Sequence, residues 1–268
     1  MITFTAKKNG KLVKSALENL SGVSYAAVQK LLRNKDVKVN GKRVGEDVVL
    51  NTGDRVEMYY SLPQAEKYTV VYQDDNVIVV DKKAGYSSEE VFSSVKTLGE
   101  AYFIHRLDRN TAGLMIFAKN KAAESELLFG FKNRAFEKYY RAEVVGSPKE
   151  DGAEVTAYLK KDAATATVKI FPDKINGAVR IKTGYNVVSR GKETSVLQVR
   201  LFTGKTHQIR AHLAYLGYPI VGDGKYGDKR FNKQHGLKTQ ALSAEKIVLH
   251  FKNGDVLYYL DNKTFTRK

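Results

Sequence analysis

The chain of 268 residues contains no cysteine. This absence excludes disulfide bonds, thiol nucleophiles and cysteine metal sites, and it fits the reducing cytoplasm, where we expect the protein to act. No apolar stretch approaches the length of a membrane span, and the N-terminus lacks the charged start and apolar core of a secretory signal. We therefore expect no membrane partner.

Acidic residues are scarce beside basic ones. The chain has 29 Asp and Glu residues and 45 Lys and Arg residues, which gives it a formal net charge of +16. The excess is spread along the chain, which indicates a polyanionic partner, with nucleic acid first. An anionic membrane surface would require a basic amphipathic helix with a continuous apolar face, and the sequence shows none.

Prolines are also few, and one of the four, Pro63, lies in a short stretch that separates two patterns. We interpret residues 62–68 as a linker between an N-terminal domain, residues 1–61, and a larger domain, residues 69–268. Nothing in the sequence indicates an oligomer, so a monomer is the default expectation.

The N-terminal domain is predicted to hold two short helices and a hairpin. Leu12 to Leu20 forms the first helix, and Ser24 can cap the second. Val37 to Val39 then runs into Asn40-Gly41, a strong two-residue hairpin signal. A turn and a strand are predicted over residues 51–59.

This pattern resembles the S-four RNA-binding module, which is common beside RNA-modifying enzymes. The matching segments are Val28 to Arg33, Lys38 to Lys42 and Gly53 to Val56. The resemblance implies that the domain contacts RNA through a set of basic residues, namely Lys30, Arg33, Lys35, Lys38, Lys42 and Arg43.

Strand patterns dominate the larger domain, with a hairpin over residues 69–80, a core strand at 114–118 and a helix at 122–131. Residues 134–146 alternate, so that Tyr140 and Tyr139 occupy opposite faces of one strand. Further strands are predicted at 153–160, 164–171, 179–187, 194–203, 246–251 and 256–260. The predicted fold class is α+β, a mixed and largely antiparallel sheet with flanking helices.

An acidic residue, Asp108, stands in a basic, turn-forming segment directly before the core strand. We therefore expect Asp108 on the loop that enters that strand. The neighbouring Arg106 and Arg109 favour its ionised form. Such a carboxylate suits nucleophilic attack or charge stabilisation, although a structural ion pair or a capped turn would show the same pattern.

A second polar segment follows the strand that ends at Thr203. A helix is predicted there, with Lys205 to Gln208 in its first turn and Gly217 as its stop. A cationic helix start favours a phosphate group. Arg210 lies one turn further in; if it is buried rather than on the surface, it needs a carboxylate, and Asp108 is available.

Competing motifs do not fit the sequence. Gly204-Lys205-Thr206 is similar to the end of a phosphate-binding loop, but Val199 stands where that motif needs glycine. His207 and His212 miss the i, i+4 spacing of helical zinc ligands. A metal-dependent nuclease needs clustered acids, which we do not find. We expect neither a metal nor a nucleotide cofactor.

Three segments together resemble the RluA-type pseudouridine synthases: His105 to Leu114, Lys138 to Ala142 and Thr203 to Arg210. Weaker matches lie at residues 70–85 and 217–227. The family isomerises uridine in structured RNA to pseudouridine without a cofactor, and an S-four module is its usual companion. The resemblance implies this fold and activity here, with ribosomal or transfer RNA as partner.

The resemblance also implies residue roles. Asp108 would be the nucleophile, Tyr140 would stack under the uracil with a part in proton transfer, and Arg210 would pair with Asp108. Ile209 would pack beside the base, which must be flipped out of the RNA, and Arg106 would fill the vacated space. The other implied RNA contacts are His105, Arg109, Lys138, Lys205, Thr206, His207 and Gln208.

The sequence departs from the family at several positions that bear on the substrate rather than on the reaction. They are Lys83 for Pro, Ala112 for Ser, Lys205 for Arg, Ser243 for His, and a short segment between Gly85 and Ala101. The rival hypothesis is a non-catalytic RNA-binding or ribosome-assembly protein of the same fold. The joint presence of Asp108, Tyr140 and Arg210 favours the enzyme.

Overall fold

The structure is a computed structural model that describes residues 2–20, 23, 25–59, 66–162 and 164–267. Contacts divide the chain into two compact units, Met1–Glu66 and Lys67–Lys268. Ser24, the predicted helix cap, and residues 62–65 of the predicted linker lie outside the described residues. No helix in the described part of the chain is long and apolar enough to cross a membrane.

The first unit packs two helices against small antiparallel sheets. Its elements are β1 (Ile2–Thr5), β2 (Gly10–Lys11), α1 (Leu12–Asn19), α2 (Tyr25–Arg33), β3 (Val37–Val39), β4 (Lys42–Val44), β5 (Val49–Leu50) and β6 (Arg55–Met58). One sheet has the order β1-β6-β3-β4, and β2 pairs with β5. Asn40 and Gly41 both have positive φ, 47° and 81°, as a two-residue hairpin turn requires.

The second unit is built on one large sheet. Its elements are β7 (Tyr68–Gln73), β8 (Val77–Lys82), α3 (Ser88–Val95), β9 (Tyr102–Phe103), β10 (Ala112–Ala118), α4 (Lys121–Lys132), β11 (Glu137–Val145), β12 (Gly152–Asp162), β13 (Thr167–Phe171), β14 (Val179–Arg190), β15 (Thr194–Leu201), α5 (Gln208–Tyr215), α6 (Lys229–Gln234), β16 (Leu242–Val248) and β17 (Thr264–Thr266). Short 3-10 turns lie at Lys96–Leu98 and Tyr258–Leu260.

The sheet order is β13-β12-β14-β15-β11-β16-β10-β8-β7, with β17 beside β16 and β9 beside β10. The β10–β16 pair is parallel and the other pairs are antiparallel. The fold class is therefore α+β with a mixed, largely antiparallel sheet, which confirms the prediction.

Two apolar clusters cover opposite faces of the sheet. One joins Tyr140 and Leu197 to α3 and α5, and the other joins Leu114 and Ile116 to α4 and to the C-terminal segment. Alternating strand residues supply both clusters, so the sheet is packed on both faces, including the face on which α5 lies.

Two strand predictions were wrong. Residues 256–260 form a turn and a 3-10 helix in which Leu257 and Leu260 are buried, and this apolar content had suggested a strand. The strand predicted at 246–251 begins four residues earlier, at Leu242, and ends at Val248. The capped helix α3, in which Ser87 and Glu90 form a capping box, was not predicted.

Candidate active site

Asp108 lies on the loop between β9 and β10, and the backbone on both sides of it is held in place. The buried Ser88 hydroxyl donates to the Leu107 carbonyl at 2.9 Å and accepts from the Leu107 N–H at 2.8 Å. On the other side, the Lys82 ammonium donates to the Arg109 carbonyl at 3.0 Å. The carboxylate therefore projects from a fixed stretch of backbone.

Lys82 is fully buried and connects three segments. Its Nζ atom also donates to the carbonyls of Lys83, at 3.1 Å, and Tyr86, at 2.8 Å. Three acceptors thus match the three N–H groups of an ammonium. Burial lowers the pKa of Lys82 to about 8, and the nearby Asp108 charge opposes that shift.

Gly113 allows β10 and β16 to approach closely at the end of the same loop. Its φ is +115°, and a Cβ atom there would lie 2.3 Å from the Ala244 carbonyl oxygen. Only glycine accommodates both conditions. The Thr111 N–H donates to the Asp108 carbonyl at 3.0 Å, and the Gln240 amide donates to the Thr111 hydroxyl at 2.7 Å. The turn after Asp108 is therefore fixed by β16 and by Gln240, which lies just before that strand.

Arg210, on α5, reaches Asp108 as predicted. Its Nη1 donates to Asp108 Oδ2 at 2.8 Å, and its Nε and Nη2 donate to the two carboxylate oxygens of Asp223 at 2.7 and 2.9 Å. Burial disfavours a charged Arg210, but the bonds to Asp223 and Asp108 outweigh burial and raise its pKa. Arg210 is thus a permanent cation held between two carboxylates.

Asp223 was missed by the sequence analysis as a site residue. Its side chain is fully buried, and Oδ1 also accepts from the N–H groups of Lys225 and Tyr226, at 2.8 and 3.1 Å. Burial alone would raise its pKa, but the Arg210 bonds turn the shift downward. The available signal was its place in the weaker family match at 217–227.

The pair of Asp108 and Arg210 lies in a cleft of about 570 Å³. Tyr140 from β11 and Ile209 from α5 line this cleft, and both are nearly buried. Asp108 is the one acidic residue among the described lining residues. The basic ones are Arg106, Lys132, Arg134, Lys138, Lys205 and Arg210. The cleft therefore attracts a polyanion while it keeps one carboxylate inside.

The Tyr140 hydroxyl is a weak acid. Burial raises its pKa, and the charge of Asp108 adds to that effect. Tyr140 is therefore a neutral phenol at neutral pH, and its side chain lines the cleft.

His207 closes the cleft beside Asp108. Its backbone is left-handed, with φ 55°. Its Nδ1 lies 2.9 Å from the Tyr226 hydroxyl, and its Nε2 lies 3.9 Å from Asp108 Oδ2. Burial lowers the pKa of His207 despite the attraction of Asp108.

This left-handed residue corrects the predicted helix start. The helix α5 begins at Gln208, so Lys205, Thr206 and His207 form a loop before it rather than its first turn. Lys205 and Thr206 are exposed and line the cleft. A phosphate at this edge would meet loop side chains, not the helix turn that the sequence suggested.

Gln208 does not fit its predicted RNA contact. Its amide donates to Lys182 O and to Thr183 Oγ1, and its oxygen accepts from Thr203 Oγ1 and Lys205 N, at 2.9 to 3.2 Å. All four bonding positions of the buried amide are therefore used within the protein. Gln208 positions the loop.

Two further predicted RNA contacts already have partners within the protein: His105, which is half-buried and lines the cleft, and Arg109, which is exposed. The His105 ring stacks on Phe131 at 4.4 Å, and its Nε2 accepts from the Ile116 N–H. Burial lowers its pKa to about 3, so the ring is neutral. Arg109 binds the Gly85 carbonyl and pairs with Glu90 at 3.0 Å, away from the cleft lining.

Lys138 and Arg106 lie where an RNA strand could reach them. Lys138 lines the cleft with its Nζ 5.4 Å from the centre of the Phe131 ring, and burial lowers its pKa. The Arg106 side chain is 69% exposed and meets Glu89 at only 3.7 Å. Lys132, the last residue of α4, and Arg134, on the turn after it, line the cleft and were not predicted.

The basic residues predicted in the first unit lie on its surface. Lys30 and Arg33 are exposed on α2, and Lys42 and Arg43 are exposed on β4. Lys38 and Arg43 lie 5.3 and 5.8 Å from the centre of the Tyr59 ring. None of the six cations forms an ion pair with a described residue.

No group of three or more His, Asp or Glu residues in the described ranges is arranged to hold a metal ion. The family model for RNA pseudouridylate synthase matches residues 67–215, the segment that holds Asp108, Tyr140 and Arg210.

Full-length relatives agree with that match. The chain is 31% identical over 269 residues to ribosomal large subunit pseudouridine synthase C of Vibrio vulnificus, covering 89% of this chain and 84% of the relative. It is 28% identical over 277 residues to the Escherichia coli K12 protein of the same name, covering 93% and 86%. Human RNA Pseudouridylate Synthase Domain Containing 1 superposes with a TM-score of 0.62 at 25% identity, covering 69% of this chain and 80% of that one.

Fold and cleft together define an RNA-modifying isomerase. The chain belongs to the RNA pseudouridylate synthase family, and it isomerises uridine in RNA to pseudouridine. The predicted RluA-type synthase domain is thereby confirmed, and the non-catalytic hypothesis is set aside.

Proposed function

We propose that this synthase acts on ribosomal RNA with Asp108 as its nucleophile. The observation that carries the proposal is the geometry of one carboxylate, held by a buried arginine, in a cleft otherwise lined by cations and an aromatic face. The relatives named as ribosomal large subunit synthases supply the substrate class.

The two oxygens of Asp108 have different surroundings. Oδ2 accepts from Arg210 and faces His207, so Oδ1 is the oxygen left to act on the substrate, by adding to the ribose carbon, by adding to the uracil ring or by assisting a glycal route. In the reaction the bond from the ribose carbon to uracil N1 breaks, the uracil turns, and the ribose carbon bonds to uracil C5. The C5 proton leaves and N1 gains one. A charge held in place by Arg210 needs little reorganisation as the bond breaks.

Tyr140 supplies the surface under the flipped uracil. Stacking of a base on an aromatic side chain contributes about 1–3 kcal/mol, comparable to the few kcal/mol needed to extrude the base. Since burial and Asp108 raise its pKa, Tyr140 acts as a hydrogen-bond donor rather than as a phenolate base.

His207 supports the nucleophile from the other side. The Tyr226 hydroxyl already accepts the Val168 N–H at 2.8 Å and is free to donate to Nδ1. The proton of a neutral His207 then sits on Nε2, which faces Asp108. The opposite tautomer would place a lone pair against the carboxylate, which is unfavourable.

The cations that line the cleft bind the RNA around Asp108. Arg106 is the residue best suited to fill the space left by the flipped base, because it is exposed and only weakly tethered. Lys138 and Lys205 lie further along the lining, where they can meet the backbone phosphates.

The first unit serves as an S-four-like RNA-binding module. Its support is the unpaired cations of α2 and of the β3–β4 hairpin, beside the exposed ring of Tyr59. A cytoplasmic location and a monomeric state remain predictions; the first follows from the proposed substrate, and sedimentation velocity tests the second.

The test of the catalytic role uses cells that lack the gene. Pseudouridine mapping of their ribosomal RNA should reveal at least one lost site, and the wild-type gene should restore it. Asp108→Asn should bind RNA and restore nothing, while Asp228→Asn, which keeps a capping side chain on α6, should restore the site. Restoration by Asp108→Asn would overturn the role of Asp108, and a complete set of sites in the deleted strain would overturn the substrate.

The test of the module uses two matched double variants. The double variant Lys30→Gln with Lys42→Gln should weaken RNA binding. It should also reduce the slope of log binding constant against log salt concentration by about 1.4, since each phosphate contact on a single strand contributes about 0.7 to that slope. Lys7→Gln with Lys14→Gln removes equal charge from exposed positions outside the proposed surface. Equal losses in both variants would show a nonspecific charge effect instead.

A further inference from the structure

The large sheet has a face that the proposed chemistry does not use. In β11 the residues alternate, so Tyr140 enters the cleft side and Tyr139 points to the opposite side. We call this opposite side, across β16, β11, β15, β14, β12 and β13, the outer face. Its side chains are partly or fully exposed, while the apolar clusters lie on the cleft side of these strands.

Strand register places alternating cations and aromatic rings on the outer face. Tyr139 is paired with both Lys246 and Arg200 in neighbouring strands. Further along the sheet, Tyr158 is paired with Phe171 on one side and with Arg180 on the other. Cations and aromatic rings are therefore paired at two separate places on the outer face.

Cations stand over the aromatic rings of this face. Lys246 Nζ lies 3.9 Å from the Tyr139 ring centre, and Arg200 and Lys182 lie 4.8 and 4.3 Å from the Phe202 ring centre. Guanidinium and aromatic planes are the groups on which unpaired bases stack. The arrangement is therefore suited to nucleobases and phosphates together.

The charge of the outer face is positive. Its cations are Arg141, Lys160, Lys169, Arg180, Lys182, Arg200 and Lys246, against the acids Glu137, Glu143, Glu154, Asp162 and Glu245. Three cations pair with acids: Lys182 with Glu154, Lys169 with Asp162 and Arg200 with Glu137. Arg141, Lys160 and Arg180 form no ion pair with a described residue, so they are available to a polyanion.

The outer face continues into the catalytic cleft. A second cavity of about 390 Å³ lies where β15 ends, lined by Arg180, Arg200 and Phe202 among others. It shares Arg134 and Thr203 with the lining of the catalytic cleft. The lining of the second cavity contains one acid, Glu137, which pairs with Arg200 at 3.3 Å, and four cations. A strand that leaves the cleft past Arg134 can therefore reach the outer face across a surface that is mainly cationic.

We propose that the outer face binds a single-stranded segment of the substrate RNA that flanks the target uridine. The inference rests on the proposed RNA substrate and adds a second contact region to it. A protein partner fits less well, because the exposed rings are each bordered by cations rather than joined into an apolar patch.

The experiment compares Lys160→Gln with Arg180→Gln, on the outer face, and Lys233→Gln with Arg230→Gln, on the exposed surface of α6. Both pairs remove two charges from exposed positions outside the cleft lining. Binding is measured with a labelled single-stranded oligouridylate across a salt series. The outer-face double variant should bind several-fold more weakly, and its slope of log binding constant against log salt concentration should be about 1.4 smaller. The control double variant should match wild type.

A stacking variant separates ring contacts from charge. Phe202→Leu keeps an apolar side chain over Gly184 but removes the aromatic face. It should weaken binding about fivefold or more, with kcat at saturating RNA unchanged. Wild-type binding and salt dependence in both outer-face variants would overturn the proposal.

Two further outcomes keep the hypotheses distinct. If sedimentation velocity shows a wild-type dimer that the outer-face variants abolish, the face joins copies of the chain and the RNA proposal fails. If the wild type forms no pseudouridine in ribosomal RNA but the outer-face variants still lose oligouridylate binding, the proposed substrate fails while this inference stands.

Discussion

Asp223 offers the sharpest prediction, because it acts on the reaction without touching the proposed path of the substrate. Replacing Asp223→Asn keeps the size of the side chain and removes its charge. In either orientation the Asn amide would turn an N–H toward an Arg210 donor, and in one of them it would also lose the bonds from the Lys225 and Tyr226 N–H groups. Arg210 would then remain buried with Asp108 as its remaining carboxylate partner.

The magnitude follows from burial. The Arg210 side chain is 8% exposed and that of Asp223 is fully buried, so the pair cannot be replaced by water without rearrangement. Breaking a buried pair by removal of one partner costs about 3–5 kcal/mol of unfolding free energy. A displacement of Arg210 by about 1 Å would misplace Asp108 and lower kcat about 100-fold, with a smaller change in KM.

The assay is single-turnover release of tritium from RNA labelled at uracil C5, together with urea unfolding at pH 7. Asp228→Asn is the matched control, because Asn is as good a helix cap as Asp and the residue lies five positions away. If Asp223→Asn keeps kcat within threefold of wild type, Asp223 does not position Arg210 for catalysis, and the bonds between Arg210 and Asp223 have only a structural role.

Three further predictions follow from the buried groups around the loop. Burial lowers the pKa of His105 to about 3, so below its ordinary value of 6.5 the unfolded chain binds a proton that the folded chain refuses. Unfolding free energy should therefore fall by up to about 1.4 kcal/mol per pH unit from 6.5 down, less steeply in His105→Gln, as urea titrations will show. Lys82 has a pKa of about 8 in the folded chain, so on raising the pH the folded chain loses that proton before the unfolded chain does. The unfolding free energy of wild type relative to Lys82→Met should therefore rise between pH 8 and 10. Equal kcat in the two proteins would contradict the role of Lys82 in holding the Asp108 loop. Gly113→Ala should lower the free energy of unfolding, measured by thermal unfolding, by about 1–3 kcal/mol more than Gly146→Ala does. Both glycines have positive φ, but only a Cβ at position 113 would meet the backbone of β16. Equal losses would show that the backbone strain of a positive φ accounts for the whole effect.

Much of the site was predictable where its parts are close in sequence. The loop position of Asp108 follows from turn residues before an apolar run, and the two sides of β11 follow from simple alternation. The pairing of Arg210 with Asp108 spans 102 residues, and it was inferred because a buried cation requires an anion. These inferences depend on local pattern or on charge balance, which a sequence displays directly.

The missed residues depend on tertiary packing. Nothing in the residues around Asp223 distinguishes a buried carboxylate from an exposed turn, because its partner is on another element. Ser88 and Lys82 likewise act on backbone carbonyls, which carry no sequence identity at all. The late start of α5 has a similar cause, since His207, which has a left-handed backbone and contacts Tyr226, precedes the helix.

The costly features of this unit converge on one loop. A buried lysine, a left-handed histidine and a glycine with positive φ each disfavour the folded state locally, and each contacts the Asp108 loop or lies next to its carboxylate. Groups that lower stability persist when the surrounding structure fixes them and when rigidity serves the chemistry. Their convergence supports the proposal that Asp108 is the centre of the site, on physical grounds that are independent of the family match. Because Oδ2 is already held by Arg210, the remaining freedom of the carboxylate is small, and the proposed chemistry requires that the uridine be brought to Oδ1.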